Sequence, residues 1–194
     1  MIDLYTWHTP NGRKVSIMLE EIGMDYNVHS INIAKDEQFQ PHFLKVSPNN
    51  RIPAIVDKDN NNYSLFESGA ILMYLAEKSE KLINKSNSDE YYRTIEWLMW
   101  QMGGVGPMFG QVHHFVKYNK GKSAYAEERY SKEARRLYGV MDKRLGQHQY
   151  ISGNEYSIAD ISIWPWTARF DWQEIDLNEF PNVTRWYKEL ADRP

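Results

Sequence analysis

A polar turn, Ser47-Pro48-Asn49-Asn50-Arg51, runs straight into the apolar segment Ile52-Pro53-Ala54-Ile55-Val56. A proline lacks the N–H that a sheet ladder needs, so it belongs at a strand's first residue or on a sheet edge. Pro53 therefore marks the mouth of a strand. The residue before a proline is pushed out of the helical region, which holds Arg51 and Ile52 extended there. A cis Ile52–Pro53 bond, which a sequence does not reveal, would turn the Ile52 N–H and C=O outward. Such groups can pair with a ligand's own backbone as an added strand does.

The complement follows in Leu65-Phe66-Glu67-Ser68-Gly69-Ala70. Glu67 and Ser68 end a short apolar strand and open a helix carrying Ile71, Leu72 and Leu75. Unpaired N–H groups at a helix start, with a serine hydroxyl among them, make a seat for a carboxylate. Glu67 beside them can take an ammonium, so the two stretches together suit a small zwitterionic peptide. An ordinary helix start also asks for a serine cap and a first-turn acid. These residues alone leave both readings open.

Taken in order, the chain reads Ile2 to Trp7 as a first strand, stopping at His8-Thr9-Pro10. Val15, Met18, Leu19 and Ile22 then fall at helical spacing. Thr9 as N-cap, Pro10 at the first helical position and Gly23 at the end delimit that helix. A second strand is expected from Tyr26 to Ile33, a short helix from Gln38 to Leu44, and strands over Ala54–Asp57 and Tyr63–Phe66. A helix from Ser68 to about Lys78 closes a β-α-β-α-β-β-α unit, the thioredoxin-like order, whose mixed sheet should be covered on both faces. We expect this α/β domain over residues 1–78, a Lys-, Asn- and Ser-rich linker over 79–88 and an all-α domain over 89–194. In the last, one stripe is Ile95, Leu98, Met99 and Met102, interrupted by Gly103-Gly104 and Gly106-Pro107, where a proline kink is expected. Ala134, Leu137, Tyr138, Met141 and Leu145 form a second stripe. Ser157 and Asp160 form a capping-box variant opening a further helix, structural in role. Val183, Trp186, Tyr187 and Leu190 mark the last helix.

Net charge is −3 and no basic run stands out, which argues against nucleic acid. The chain has no cysteine, which removes disulfides, thiolate nucleophiles and cysteine zinc sites together. Any thiol chemistry must use another molecule's sulfur. Adjacent helix positions point about 100° apart, so His113-His114 does not converge on a metal, and none is expected. The N-terminus shows no basic-then-apolar leader, and no apolar run approaches the roughly 20 residues that span a bilayer. The expectation is a soluble cytoplasmic protein without membrane partners.

Thr9 and Asn11 sit where the first strand hands over to the first helix. A thiolate at that helix start has its pKa lowered from about 8.5, and both side chains can donate to sulfur. Capping and turning account for the same two residues without a ligand. Tyr5, mid-strand, is the rival donor and reads as core. Trp7 reads as a wall for a second substrate.

Thr9-Pro10-Asn11-Gly12, Ser47-Pro48-Asn49 with Arg51-Ile52-Pro53-Ala54, and Glu67-Ser68-Gly69-Ala70-Ile71 resemble a glutathione transferase. The run from Trp97 through Gly103-Gly104-Val105-Gly106-Pro107-Met108 to His113-His114-Phe115 resembles the bacterial nu class, a branch with fungal regulatory relatives. The likeness extends from Ile2 to Pro194. It implies glutathione as substrate, reduced or oxidised, near Thr9 and Asn11, which would stabilise its thiolate. It further implies that Gln38 contacts glutathione, Ile52 pairs with its cysteinyl backbone, and Glu67 and Ser68 hold its γ-glutamyl end. Arg51, where the family often has Lys, faces the glycyl carboxylate, and Arg129 reaches in from the helical domain. His114, below the glycine kink, reads as a packed side chain, with the second-substrate pocket as the alternative placement. The family carries the Ser157–Asp160 box as a folding element. The implied activity is disulfide-bond reduction. The alternatives are conjugation of electrophiles or reduction of organic peroxides, and a non-catalytic glutathione-binding regulator. A homodimer is implied too.

Overall fold

The computed structural model describes residues 1–193, so Pro194, the last residue of the expected helical domain, lies outside the described residues. The chain divides into two compact units, Met1–Asn84 and the residues from Lys85 onward. That division falls inside the stretch read as a linker.

In the first unit β1 (Ile2–Thr6), α1 (Pro10–Ile22), β2 (Tyr26–Ser30), α2 (Pro41–Leu44), β3 (Ala54–Asp57), β4 (Tyr63–Phe66) and α3 (Ser68–Ser79) follow one another. The four strands form one sheet in the order β2-β1-β3-β4. β1 and β2 are parallel, as a connection through a helix allows, and β3 is antiparallel to both β1 and β4. α1 forms as its stripe dictates: Val15, Met18, Leu19 and Ile22 are buried. Thr9 caps its start, accepting from Gly12 N at 3.2 Å, and Gly23 ends it in the left-handed region at φ 68°. α1 and α3 pack on each other and on the sheet. Phe43 of α2 packs with Ile31 and Ala54, against Tyr5, Ile52 and Phe66.

Several boundaries differ from the sequence reading, each for a local reason. Trp7 lies past β1, because Thr9 N donates to Trp7 O at 2.7 Å and closes a turn there. β2 stops at Ser30. Beyond it Asn32 accepts from Ala34 N and starts a 3-10 turn over Ile33–Lys35. The helix expected over Gln38–Leu44 splits into a 3-10 turn, Glu37–Phe39, and α2, because Pro41 holds Gln40 extended at φ −69°, ψ 141°. Pro53 immediately precedes β3 rather than opening it.

The second unit holds α4 (Ser88–Trp100), α5 (Gly106–Val112), α6 (Ala124–Leu145), α7 (Ile158–Thr167) and α8 (Pro181–Ala191). The glycines and Pro107 do not end a helix. The chain passes from α4 through a π-helical segment, Gln101–Val105, into α5, with Gly106 N bonded to Gln101 O. This one-residue slip in register absorbs the proline's missing donor at the start of α5. The stripe read for α4 is also corrected. Thr94, Leu98, Gln101 and Val105 are the buried positions, whereas Met99 is 47% exposed. α6 and α8 bury the stripes predicted for them, apart from half-buried Tyr187.

The capping box forms at α7. Asp160, fully buried, accepts from Ile151 N and Trp186 Nε1, both at 2.9 Å, and from Ser157 N at 3.1 Å. Burial raises its carboxyl to about 6 against those donors. Among the described residues no helix is long and apolar enough to cross a membrane, and no group of three His, Asp or Glu could hold a metal.

Candidate functional site

The strand register decides which loops meet. Tyr5 of β1 lies opposite Ala54 of β3, and Ala54 lies opposite Phe66 of β4. The C-terminal end of β1, the N-terminal end of β3 and the C-terminal end of β4 therefore share one edge of the first unit. The C-terminal end of β2 joins them, being parallel to β1. That edge gathers Trp7, Thr9 and Asn11 after β1, Gln38 after β2, Arg51 and Ile52 before β3, and Glu67 and Ser68 after β4.

Thr9 Oγ1 is the acceptor for Gly12 N. A hydroxyl so engaged keeps its one proton to donate elsewhere. Asn11 is half-buried in the first turn of α1, where the positive end of the helix dipole favours an anion. Gly12 is the tightest point of the hand-over: a Cβ there would lie 2.1 Å from Trp7 O and 2.5 Å from Thr6 Oγ1. Trp7 is half-buried with its ring 4.4 Å from that of His8. Tyr5 is stacked on His29 with ring centroids 4.6 Å apart, a packed position as expected.

Gln38 is 9% exposed; its amide donates to Asp36 at 3.4 Å, while its Oε1 is buried without a hydrogen-bond partner. Such an orphaned acceptor costs about 1–3 kcal/mol, which a ligand N–H would recover. Arg51 is exposed, its carbonyl held by Ser47 Oγ at 2.8 Å. The Ile52–Pro53 bond is cis, and Ile52 packs its side chain into the Phe43 cluster, outside the β3 ladder.

Glu67 stands at φ 72°, ψ 112°, a region a non-glycine residue occupies at a cost of about 1–3 kcal/mol. Its carbonyl accepts from Ile71 N, which makes Glu67, and not Ser68, the N-cap of α3. Ser68 is instead the first helical residue, buried, and its Oγ accepts from Lys14 Nζ at 3.2 Å. Lys14 is the buried charged residue beside Ser68 that the sequence reading passed over. It lies on α1 four positions before Met18, on the buried stripe, and this charged member of an apolar face was the available signal.

Two predicted residues belong to the second unit. Arg129 is exposed on α6 and lines a cavity of about 630 Å³ with Met108, Tyr125, Tyr130, Glu133 and Arg136. A hydrogen bond from Arg136 lowers the Glu133 carboxyl there. His114 is exposed, its ring edge-on to Phe115 at 4.7 Å, so the packing expected of it is not seen. Its neighbour is the buried one: His113 Nε2 lies 3.3 Å from Gln173 Nε2, under the Trp166 ring. A π-helical register runs over His113–Tyr118, so side chains there advance by less per residue than the α-helical pattern assumes.

Residues 1–77 match the glutathione S-transferase N-terminal domain, and residues 104–194 match the C-terminal domain. The chain is 47% identical over 198 residues to the disulfide-bond oxidoreductase YfcG of Escherichia coli, covering 100% of this chain and 92% of that protein. It is 40% identical over 207 residues to the disulfide-bond oxidoreductase YghU of the same organism, covering 100% and 72%. A glutathione transferase family member from Pseudomonas fluorescens, solved with two glutathione bound, matches with a TM-score of 0.94 at 47% identity, covering 100% of this chain and 89% of that one. A glutathione transferase from Pseudomonas putida, with one glutathione disulfide bound per subunit, matches with a TM-score of 0.92 at 44% identity, covering 100% and 87%.

Proposed function

Because this chain belongs to the glutathione S-transferase family, we propose that it is a glutathione-dependent disulfide-bond oxidoreductase whose thiolate site is Thr9 and Asn11. The observation that carries this reading is the convergence, on one sheet edge of a chain without cysteine, of the α1 start at Thr9 and Asn11 with Ile52, Glu67 and Ser68. Bound glutathione supplies the sulfur. The α1 dipole, the Thr9 hydroxyl and the Asn11 amide hold it as thiolate by favouring the charged form. The thiolate attacks one sulfur of a substrate disulfide, forming a mixed disulfide and expelling the other sulfur as thiolate. A second glutathione attacks the mixed disulfide, yielding glutathione disulfide and the reduced product. Both electrons come from the two glutathiones, which accords with the pair, or the disulfide, held by relatives.

In this reading Glu67 takes the γ-glutamyl ammonium and Ser68 its carboxylate, Ile52 pairs with the cysteinyl backbone, and Gln38 and Arg51 meet the glycyl end. Arg129 contributes from the helical domain, and Trp7 and His114 face the second substrate. Ser157 and Asp160 serve folding. The protein works as a cytoplasmic homodimer, where the glutathione pool is reducing.

The test is glutathione-dependent reduction of a small model disulfide beside conjugation to a chloronitrobenzene, for wild type and Asn11→Ala. Strong reduction with little conjugation, lost in the variant, supports the proposal. The opposite ratio returns the protein to conjugating transferases. Silence in both, with glutathione still bound, makes it a glutathione-binding regulator.

A further inference from the structure

Lys14 has no place in the site as read from sequence, yet its side chain is 1% exposed and its ammonium lies 3.2 Å from Ser68 Oγ, across 54 positions of chain. Resting on the reading above, we infer that Lys14 is a positioning residue that builds the carboxylate half of the γ-glutamyl seat by acting through Ser68.

The hydroxyl of Ser68 has one proton and two lone pairs. An ammonium is donor-only, so its contact with Oγ engages a lone pair and fixes the orientation of the hydroxyl. That hydroxyl stands at the first turn of α3, where the positive end of the helix dipole favours an anion. Charge works in the same direction. A cation buried beneath the seat is little screened by solvent, so its attraction for a ligand carboxylate exceeds that of a surface lysine. Glu67, one residue earlier and exposed, is of opposite sign and is felt by Lys14. The seat thus carries a carboxylate for the ligand's ammonium and a relayed cation for its carboxylate, the pattern of an α-amino acid head. Burial pushes the Lys14 ammonium down to about 7, with Glu67 acting against it. A bound carboxylate would support the charged form further.

The test separates a positioning role from a merely structural one by ligand selectivity. Calorimetric affinities are measured for S-methylglutathione, which carries no ionisable thiol, and for its analogue with 4-aminobutyrate in place of the γ-glutamyl group, which lacks only the α-carboxylate. Wild type should prefer the parent ligand. Lys14→Met should lower parent affinity about tenfold or more while changing analogue affinity less than about twofold. Lys14→Gln, uncharged but still a donor, should fall between. Equal losses for both ligands, or no loss for either, overturn the proposal. If wild type binds neither ligand, the glutathione site itself fails. If wild type binds both equally, the site stands and the relayed seat does not. Should neither Lys14 variant fold, Ser68→Ala must erase the wild-type preference, and an unchanged preference there overturns the inference as well.

Discussion

Asn11 occupies the first turn of α1, at the positive end of the helix dipole. Asn11→Ala should leave the fold intact, since the cap is Thr9, and should cut glutathione-dependent disulfide reduction about 100-fold, the loss typical of a preorganised donor to developing charge. The ultraviolet absorbance of the bound thiolate, titrated with pH, should then report a higher thiol pKa; an unchanged titration removes Asn11 from the mechanism. Gly12 next to it is held by space. Gly12→Ala would drive a Cβ into Trp7 O, a backbone atom that cannot swing aside. The strand–helix hand-over must shift, at about 1–3 kcal/mol, and activity should fall with stability in denaturant titrations. A rate that survives that shift would show Thr9 to be uninvolved.

The start of α7 tests how one buried carboxylate holds an element. Ser157→Ala removes a cap worth about 1 kcal/mol. Asp160→Ala should cost about 3 kcal/mol or more, because Ile151 N and the Trp186 indole are left buried and unpaired. In a chain of this size that lowers Tm by roughly 6 °C or more. Disulfide reduction measured well below Tm should be unchanged in Ser157→Ala, and a specific loss of turnover would reassign the box from folding to chemistry. The helix from α4 into α5 teaches a different lesson. Its glycines and proline announced a disturbance, but whether a helix breaks or slips one residue depends on what packs beside it. Here Gly106 leaves room only for the Gln101 side chain, whose Nε2 would lie 2.7 Å from an added Cβ.

The molecule's response to acid depends on His113, buried against Gln173 and Trp166. Burial first, and Arg169 second, push its imidazole from the ordinary 6.5 down to about 4. The unfolded chain binds this proton below about 6.5 and the folded chain does not, so stability is full above that pH and drains as pH falls toward 4. Asp160, raised from 3.8 to about 6, acts with the opposite slope within that window. The informative quantity is therefore a difference: Tm of His113→Gln should fall less than that of wild type between neutrality and about pH 4.5. Parallel curves would mean that His113 is protonated in the native state.

The helical stripes of α1, α6 and α8, the Thr9 and Gly23 ends and the Ser157 box were legible in the residues, because periodicity and capping are set within a few positions of chain. The motif residues of the first unit were legible as separate stretches only; their meeting on one edge comes from the β2-β1-β3-β4 order, which pairs strands far apart in sequence. Trp7 leaving its strand and Ser68 yielding the cap to Glu67 came from short-range backbone bonds that residue types alone do not specify, and His113 rather than His114 turning inward depended on packing partners distant in sequence. Lys14 is the extreme case. On the helix it is a charged residue at an apolar-face position, which by itself does not say what covers it. Only the packing of α1 against α3 buries its ammonium beneath Ser68, because burial is set by the neighbours that the fold supplies and not by the residue's own type.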